Sequence, residues 1–306
     1  VIDRSLADAD TTLANLDAVA VGHRPGLIGS LLVGVSAAKS VAWAKDIPLV
    51  GVDHVQAHLY APLLIDTPAK STRDEAPLEG ERDPYPALGL VVSGGHTAIY
   101  RIDAPHSLTR LGSTIDDAVG EVYDKVATIL GLEYPGGPRV DSLAARPDAD
   151  DRVADFPISR LDKNSLDFSF SGLKTAVLYE VKGRPVSTRP GKPAPPQPPP
   201  MTETRIRDIA ASFQRAAIGA ITLKLARAFD TQPDCRNLLV GGGVSANSRL
   251  RADLMTFCEE RSITLRLAPM KYCIDNGAMI AGLGARLLES GLTADLGLAP
   301  VPTTAC

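Results

Sequence analysis

Apolar and polar positions along the chain switch between two periods. Short apolar-rich stretches at residues 17–22, 47–52, 87–92, 236–240 and 263–267 have the length and β-branched content of strands. Residues 30–45, 117–130, 205–229, 245–260 and 276–288 carry apolar positions three and four apart and predict helices; 54–64 predicts a shorter one. Gly94-Gly95 interrupts one apolar run, which resumes over 97–102, so a hairpin is expected there. Tyr134-Pro-Gly-Gly-Pro138 predicts a helix stop, with a new helix near Val140. Strands alternating with helices predict an α/β fold with a layered sheet. No repeat at a fixed period is visible.

Residues 66–86 read as a polar loop. Between Val181 and Pro200 stand eight prolines in twenty residues, which predicts a disordered or polyproline surface loop over 181–204.

The bulk properties narrow the class. At 306 residues the chain is expected to hold about two domains of ~150 residues each. Hydrophobic residues make up 44% and charged residues 22%, and no apolar run approaches the ~18 residues of a membrane span. The first residues show neither a basic, apolar leader nor an Arg-rich transit pattern, so a cytoplasmic protein is expected. Cys235, Cys258, Cys273 and Cys306 stand apart and read as reduced thiols. A net charge of −4 argues against unaided grip on a phosphate backbone.

Candidate chemistry begins with His54 and His58. Spaced four apart on a helix, they share a face and could reach one cation, but two ligands make half a site, and two unrelated histidines fit the spacing equally. A zinc protease would carry a glutamate beside the first histidine as general base; here that position is Val55, which cannot take a proton.

Two glycine loops follow. Ser93-Gly94-Gly95-His96-Thr97 could bring backbone N–H groups close to a phosphate, and Gly241-Gly-Gly-Val-Ser-Ala-Asn247 runs from a strand into a helix start, where anions bind. A hairpin turn and a tight connection account for them without a ligand. Asp116 or Asp117 reads as a helix cap, Glu121 and Lys125 as a surface pair, Asp124 as a possible holder of ribose hydroxyls or part of a solvated face, and Asp275 as a cap of the last helix.

Taken in order, these segments resemble one family. The stretches are Arg24-Pro-Gly-Leu-Ile-Gly29, His54-Val-Gln-Ala-His58, Val92-Ser-Gly-Gly-His-Thr97, Thr114-Ile-Asp-Asp117 through Lys125, Tyr134–Pro138, Phe168-Ser-Phe-Ser-Gly-Leu-Lys174, Gly241–Asn247 and Asp275-Asn-Gly-Ala-Met279, and they cover nearly the whole chain. They are similar to the tRNA N6-adenosine threonylcarbamoyltransferases of the bacterial and organellar type. The resemblance implies an actin-like, sugar-kinase-like fold of two lobes with a nucleotide cleft between them. It places 1–110 in an N-terminal lobe completed by 275–306, and 111–274 in the second lobe.

It further implies that His54, His58 and Asp275 bind one divalent ion, iron(II), with zinc suited to the same ligands. Val91, Val92, Ser93, Gly94, Gly95, Asp124, Gly137, Asp141 and Asn247 correspond to the positions that hold threonylcarbamoyl-AMP. The implied reaction is acyl transfer: the threonylcarbamoyl group moves to N6 of the adenosine 3′ of the anticodon in tRNAs reading codons that begin with A, releasing AMP. The implied partners are tRNA, a paralogous dimerisation subunit, a small ATPase and the threonylcarbamoyl-AMP synthase. In a eukaryote the compartment would be mitochondrial. The family's non-catalytic paralogue lacks the metal ligands, whereas this chain has all three.

The sequence departs from the family at three places. The family's opening Gly-Ile-Glu-Thr-Ser-Cys-Asp-Glu-Thr-like strand, hairpin and helix have no counterpart, so the chain as given is expected to expose sheet edges and to be poorly stable or inactive alone. Ile274 stands where Thr is usual, and Gly277 where Ala is common.

Overall fold

The computed structural model describes residues 2–64, 84–159, 161–185 and 197–303. In chain order the elements are α1 (Ile2–Asp8), β1 (Val19–Arg24), α2 (Ile28–Lys45), β2 (Leu49–Asp53), α3 (His54–Tyr60), β3 (Ala87–Val92), β4 (Thr97–Ala104), β5 (Ser107–Ser113), α4 (Val119–Ile129), α5 (Gly136–Ala144), α6 (Ser171–Lys182), α7 (Glu203–Thr231), β6 (Asn237–Gly241), α8 (Ser248–Glu260), β7 (Thr264–Leu267) and α9 (Gly277–Glu289), with short 3₁₀ turns between some of them.

Two sheets result. β1 and β2 pair in parallel, while β5-β4-β3-β6-β7 form a mixed sheet in which β3 pairs antiparallel with β4 and parallel with β6. β3 is buried at all six positions, as its unbroken Ala-Leu-Gly-Leu-Val-Val run requires of a central strand covered on both faces.

The expected lobe boundary at residue 110 is corrected by this pairing. β3 and β4 belong to the sheet of β6 and β7, so the boundary cuts a sheet in two; β1 and β2 form their own layer. Met279, Leu283 and Leu287 of α9 share a buried cluster with Val50, Val52, Ala57 and Ala61.

The larger core surrounds α7. Its Ile209, Phe213, Ala217, Ile221 and Leu225 share one buried cluster with the α4 stripe Val119, Val122, Tyr123 and Val126, which follows helical spacing. Each such Val or Leu contributes about 1.5–3 kcal/mol on burial.

Other readings are corrected locally. Gly136-Gly-Pro138, expected as a stop, is the first turn of α5, where the missing N–H of Pro138 leaves no helical bond unmade. α8 starts at Ser248, not Ser245, after a 3₁₀ turn over Gly243–Ala246. β5 and α6 had no expectation, and α6 includes Val181 and Lys182 of the predicted proline-rich loop. Residues 186–196 of that loop, and 65–83, lie outside the described residues. Among the described residues, no helix is long and apolar enough to cross a membrane.

Candidate metal and nucleotide site

The carboxylate of Asp53, at the end of β2, caps α3 by accepting from Val55 N (2.8 Å) and Gln56 N (3.2 Å), and its second oxygen accepts from Arg24 Nε at 3.1 Å. This cap fixes where α3 begins and so which face carries His54 and His58. Their spacing placed both on one face, and the rings meet edge to face with centroids 4.6 Å apart.

Asp275 reaches them from 217 positions downstream of His58: its Oδ1 lies 3.3 Å from His54 Nε2 and 3.1 Å from His58 Nε2. It does not cap the last helix. Asn276 does, accepting from Met279 N at 2.9 Å, which leaves the Asp275 carboxylate free to turn toward the imidazoles. The three side chains offer ligand atoms within 4.8 Å of one another, the one such group of three among the described residues. Hydrogen bonds from His54 and His58 hold the Asp275 carboxyl well below the usual carboxylate range. His58 is 1% exposed, and its Nδ1 finds no hydrogen-bond partner among the described residues. His96 stands close enough for the same two histidines to act on it: burial first, and then their charges, push its pKa down.

The first glycine loop closes on itself. Ser93 N donates to His96 O at 2.8 Å and His96 N to Ser93 Oγ at 3.0 Å, leaving the N–H groups of Gly94 and Gly95 without a partner among the described residues. A side chain at either glycine would meet nothing within 4 Å, so the chain's own packing does not demand glycine there. Val91 and Val92 are fully buried, main chain included. Thr97 Oγ1 caps α4 by accepting from Val119 N at 2.9 Å, and Gly120 N donates to Ser93 O at 3.2 Å, which ties the start of α4 to the loop.

Asp124, one turn into α4, accepts from Gly136 N at 2.8 Å and lines a cavity of about 170 Å³ with Lys125, Thr128, Tyr134 and Gly136. Gly137, next in α5, has open space where a side chain would stand. Asp141 and Asn247 are joined through Gln214 and Ser248. Asp141 accepts from Gln214 Nε2, Ser248 Oγ and Ser248 N, and Asn247 donates to Gln214 Oε1 at 2.8 Å while capping α8 by accepting from Leu250 N.

Asp116 and Asp117 are not helix caps, as had been expected; Ala118 precedes α4 without a side-chain cap. Asp116 instead accepts from Ser169 Oγ, Phe170 N and Ser171 Oγ, and Asp117 pairs with Lys174 (2.7 Å) and Lys125 (2.9 Å). The expected pair of Glu121 with Lys125 is present at 2.8 Å.

The roles of Asp53, Gln214 and Ser248 escaped the sequence reading. A lone Gln in the apolar Ile209-Ala-Ala-Ser-Phe-Gln214-Arg-Ala-Ala217 run was the visible signal for one of them.

Comparison with known proteins agrees on one family. The family model described as tRNA N6-adenosine threonylcarbamoyltransferase matches residues 1–282. Proteins of that name from Sorangium cellulosum and Staphylococcus saprophyticus subsp. saprophyticus are 45% and 42% identical to this chain; the alignments cover 100% and 97% of it, and 81% and 78% of the relatives. Among solved structures, the chain is similar to a HypF from T. kodakarensis, with a TM-score of 0.57 and 15% identity over 92% of this chain and 42% of that one. That likeness shows a shared fold, in keeping with the two-lobe nucleotide-binding architecture.

Proposed function

The chain belongs to the tRNA N6-adenosine threonylcarbamoyltransferase family, and from that premise we propose that it works with one divalent ion on His54, His58 and Asp275 and with the nucleotide part of its donor substrate along Ser93–Gly95, Asp124, Gly137, Asp141 and Asn247. The reaction itself follows from the family: the threonylcarbamoyl group passes from threonylcarbamoyl-AMP to N6 of adenosine 37 of a tRNA, and AMP leaves.

The observation that carries the metal reading is the convergence of two imidazole nitrogens on one carboxylate oxygen. Two nitrogen ligands and one oxygen suit iron(II) and equally zinc. Bound there, the ion would polarise the acyl carbonyl and hold the threonyl part. Iron(II) is our choice of ion, from the family resemblance.

A mixed anhydride already carries a good leaving group, so the chain's own residues need only position the acyl carbon and offset developing negative charge. The unpartnered N–H groups of Gly94 and Gly95 supply fixed donors for that charge. Asp124 and Asp141 offer carboxylate acceptors to sugar hydroxyls, each oriented by a main-chain N–H. Burial, and then the neighbouring His54 and His58, push the His96 pKa down beside the ion site. Val55 stands where a metalloprotease needs its base, in line with acyl transfer rather than peptide hydrolysis.

A net charge of −4 favours shared tRNA binding, and our reading includes a paralogous dimerisation subunit, a small ATPase and the synthase that makes the donor. That reading sets the work in a bacterial cytoplasm, which the bacterial origin of the relatives supports. The test supplies threonylcarbamoyl-AMP, tRNA and those partners and looks for the modified adenosine by mass spectrometry. His54→Ala and Asp275→Ala should abolish it; undiminished product from both would overturn the metal assignment.

A further inference from the structure

Gln214 sits in the middle of α7, 2% exposed, and ties together side chains from three other elements. Its Oε1 accepts from the Tyr123 hydroxyl at 3.2 Å and from Asn247 Nδ2 at 2.8 Å; its Nε2 donates to Asp141 Oδ1 at 3.1 Å. The direction of every bond in this chain is forced from both ends. Leu250 N can only donate, so Asn247 must turn its oxygen to Leu250 and its amide nitrogen to Gln214. Asp141, an ionised carboxylate, can only accept, so Gln214 must turn its nitrogen to Asp141. The two requirements select the same orientation of the Gln214 amide.

Asp141 is thereby held with its two oxygens unlike. Oδ1 takes two donors, Gln214 Nε2 and Ser248 Oγ at 2.8 Å; Oδ2 takes one, Ser248 N at 3.0 Å. Asp141 is half-buried, and Oδ2, with its one donor, keeps an acceptor position open. We propose that Gln214 is a positioning residue: it holds Asp141 so that Oδ2 meets a ribose hydroxyl of the bound nucleotide, and the preference for a ribonucleotide over its deoxy analogue depends on it. The proposal rests on the reading that Asp141 faces the nucleotide. Glu at position 214 would keep the accepting oxygen but put a second carboxylate against Asp141, and Met would keep the volume and remove every bond.

The test measures binding of AMP, 2′-deoxy-AMP and 3′-deoxy-AMP to the full chain by calorimetry, with thermal melting as a check on folding. The unaltered chain should bind AMP about tenfold more tightly than at least one deoxy analogue, the size expected of one hydrogen bond to a charged group. Gln214→Met should erase that preference while leaving affinity for the deoxy analogue within about twofold, because only the hydroxyl contact is lost. A merely structural role would weaken all three nucleotides alike, and that result overturns the proposal. Should Gln214→Met fail to melt cooperatively, Gln214→Glu is held to the same criterion. Asp141→Ala separates the two levels of the argument. If Asp141→Ala loses the preference and the Gln214 variant keeps it, Gln214 is not the positioning residue. If Asp141→Ala keeps the preference, or the unaltered chain has none, then Asp141 is not the ribose contact and the proposal falls with it.

Discussion

The main-chain carbonyl of His58 occupies the space in which a side chain on Gly241 would begin. α3, which carries both histidines, is thus seated directly on the end of β6, and the next residue, Gly242, turns at φ +94° against the carbonyl of Val92. Gly241 and Gly242 serve close backbone approach before they serve any ligand.

Gly241→Ala should therefore be severe, since the clash is with backbone and no rotamer change relieves it. A loss of about 3 kcal/mol or more is expected, a fall in melting temperature of roughly 6 °C or more. Gly243→Ala is the internal control: nothing lies within 4 Å of a side chain there, and its cost should stay below about 1 kcal/mol. Equal melting temperatures for the two variants would contradict the account of α3 seated on β6.

Asp53 offers a finer test of how the histidines are placed. Asp53→Ala removes the cap of α3 and leaves Arg24 without its carboxylate, so it should cost about 1–2 kcal/mol and loosen His54. Asp53→Asn keeps a cap oxygen and should recover most of the stability. The measurement is chemical denaturation with metal content read on the same samples; an Asn variant as damaged as the Ala variant would place the effect in the Arg24 ion pair instead.

How much of this was legible beforehand depends on the range of the interaction. Apolar runs such as Ala87–Val92 declared their strands because burial on both faces leaves no polar position. The His54–His58 face followed from helical spacing alone. Which sheet β3 joins did not, because pairing with Asn237–Gly241 is a long-range choice that one apolar run cannot distinguish from another. β5 was invisible because Ser107–Ser113 lies at the sheet edge with a single buried residue, and an edge strand carries little apolar signal. The role of Asp275 needed the fact that Asn276, its neighbour, takes over the cap. Gln214 needed the three-dimensional meeting of α4, α5, α7 and the start of α8.

If the His54, His58 and Asp275 group holds the ion, removal of one ligand should weaken metal retention by at least about tenfold, since even outer-shell changes at such sites cost that much. His58→Ala and Asp275→Ala are the variants of choice, read by elemental analysis after dialysis against a weak chelator. AMP binding should survive both changes and survive stripping of the metal, because among the described residues no hydrogen bond joins Asp141 or Asn247 to the three ligands. Retention of a full equivalent of metal by both variants would show that the ion sits elsewhere.

Asp117 gives a prediction whose sign follows from its partners. Lys174 and then Lys125 hold its carboxyl below the ordinary carboxylate range in the folded chain. A carboxyl with a lowered folded value contributes stability above its unfolded value of about 4, and loses that contribution as pH falls through the folded value. Asp117 also ties α6 to the start of α4 through Lys174, so the effect acts on the segment that faces the first glycine loop. Exposure of the two lysine side chains, 38% and 30%, screens the pair and keeps the effect modest. Asp117→Asn should lower the urea midpoint by about 0.3 M at pH 7, and the gap to the unaltered chain should close below about pH 3 and narrow in high salt. A gap that stays constant from pH 7 to pH 3 would mean that Asp117 acts through its hydrogen bonds and packing, which an amide also disturbs, and not through its charge.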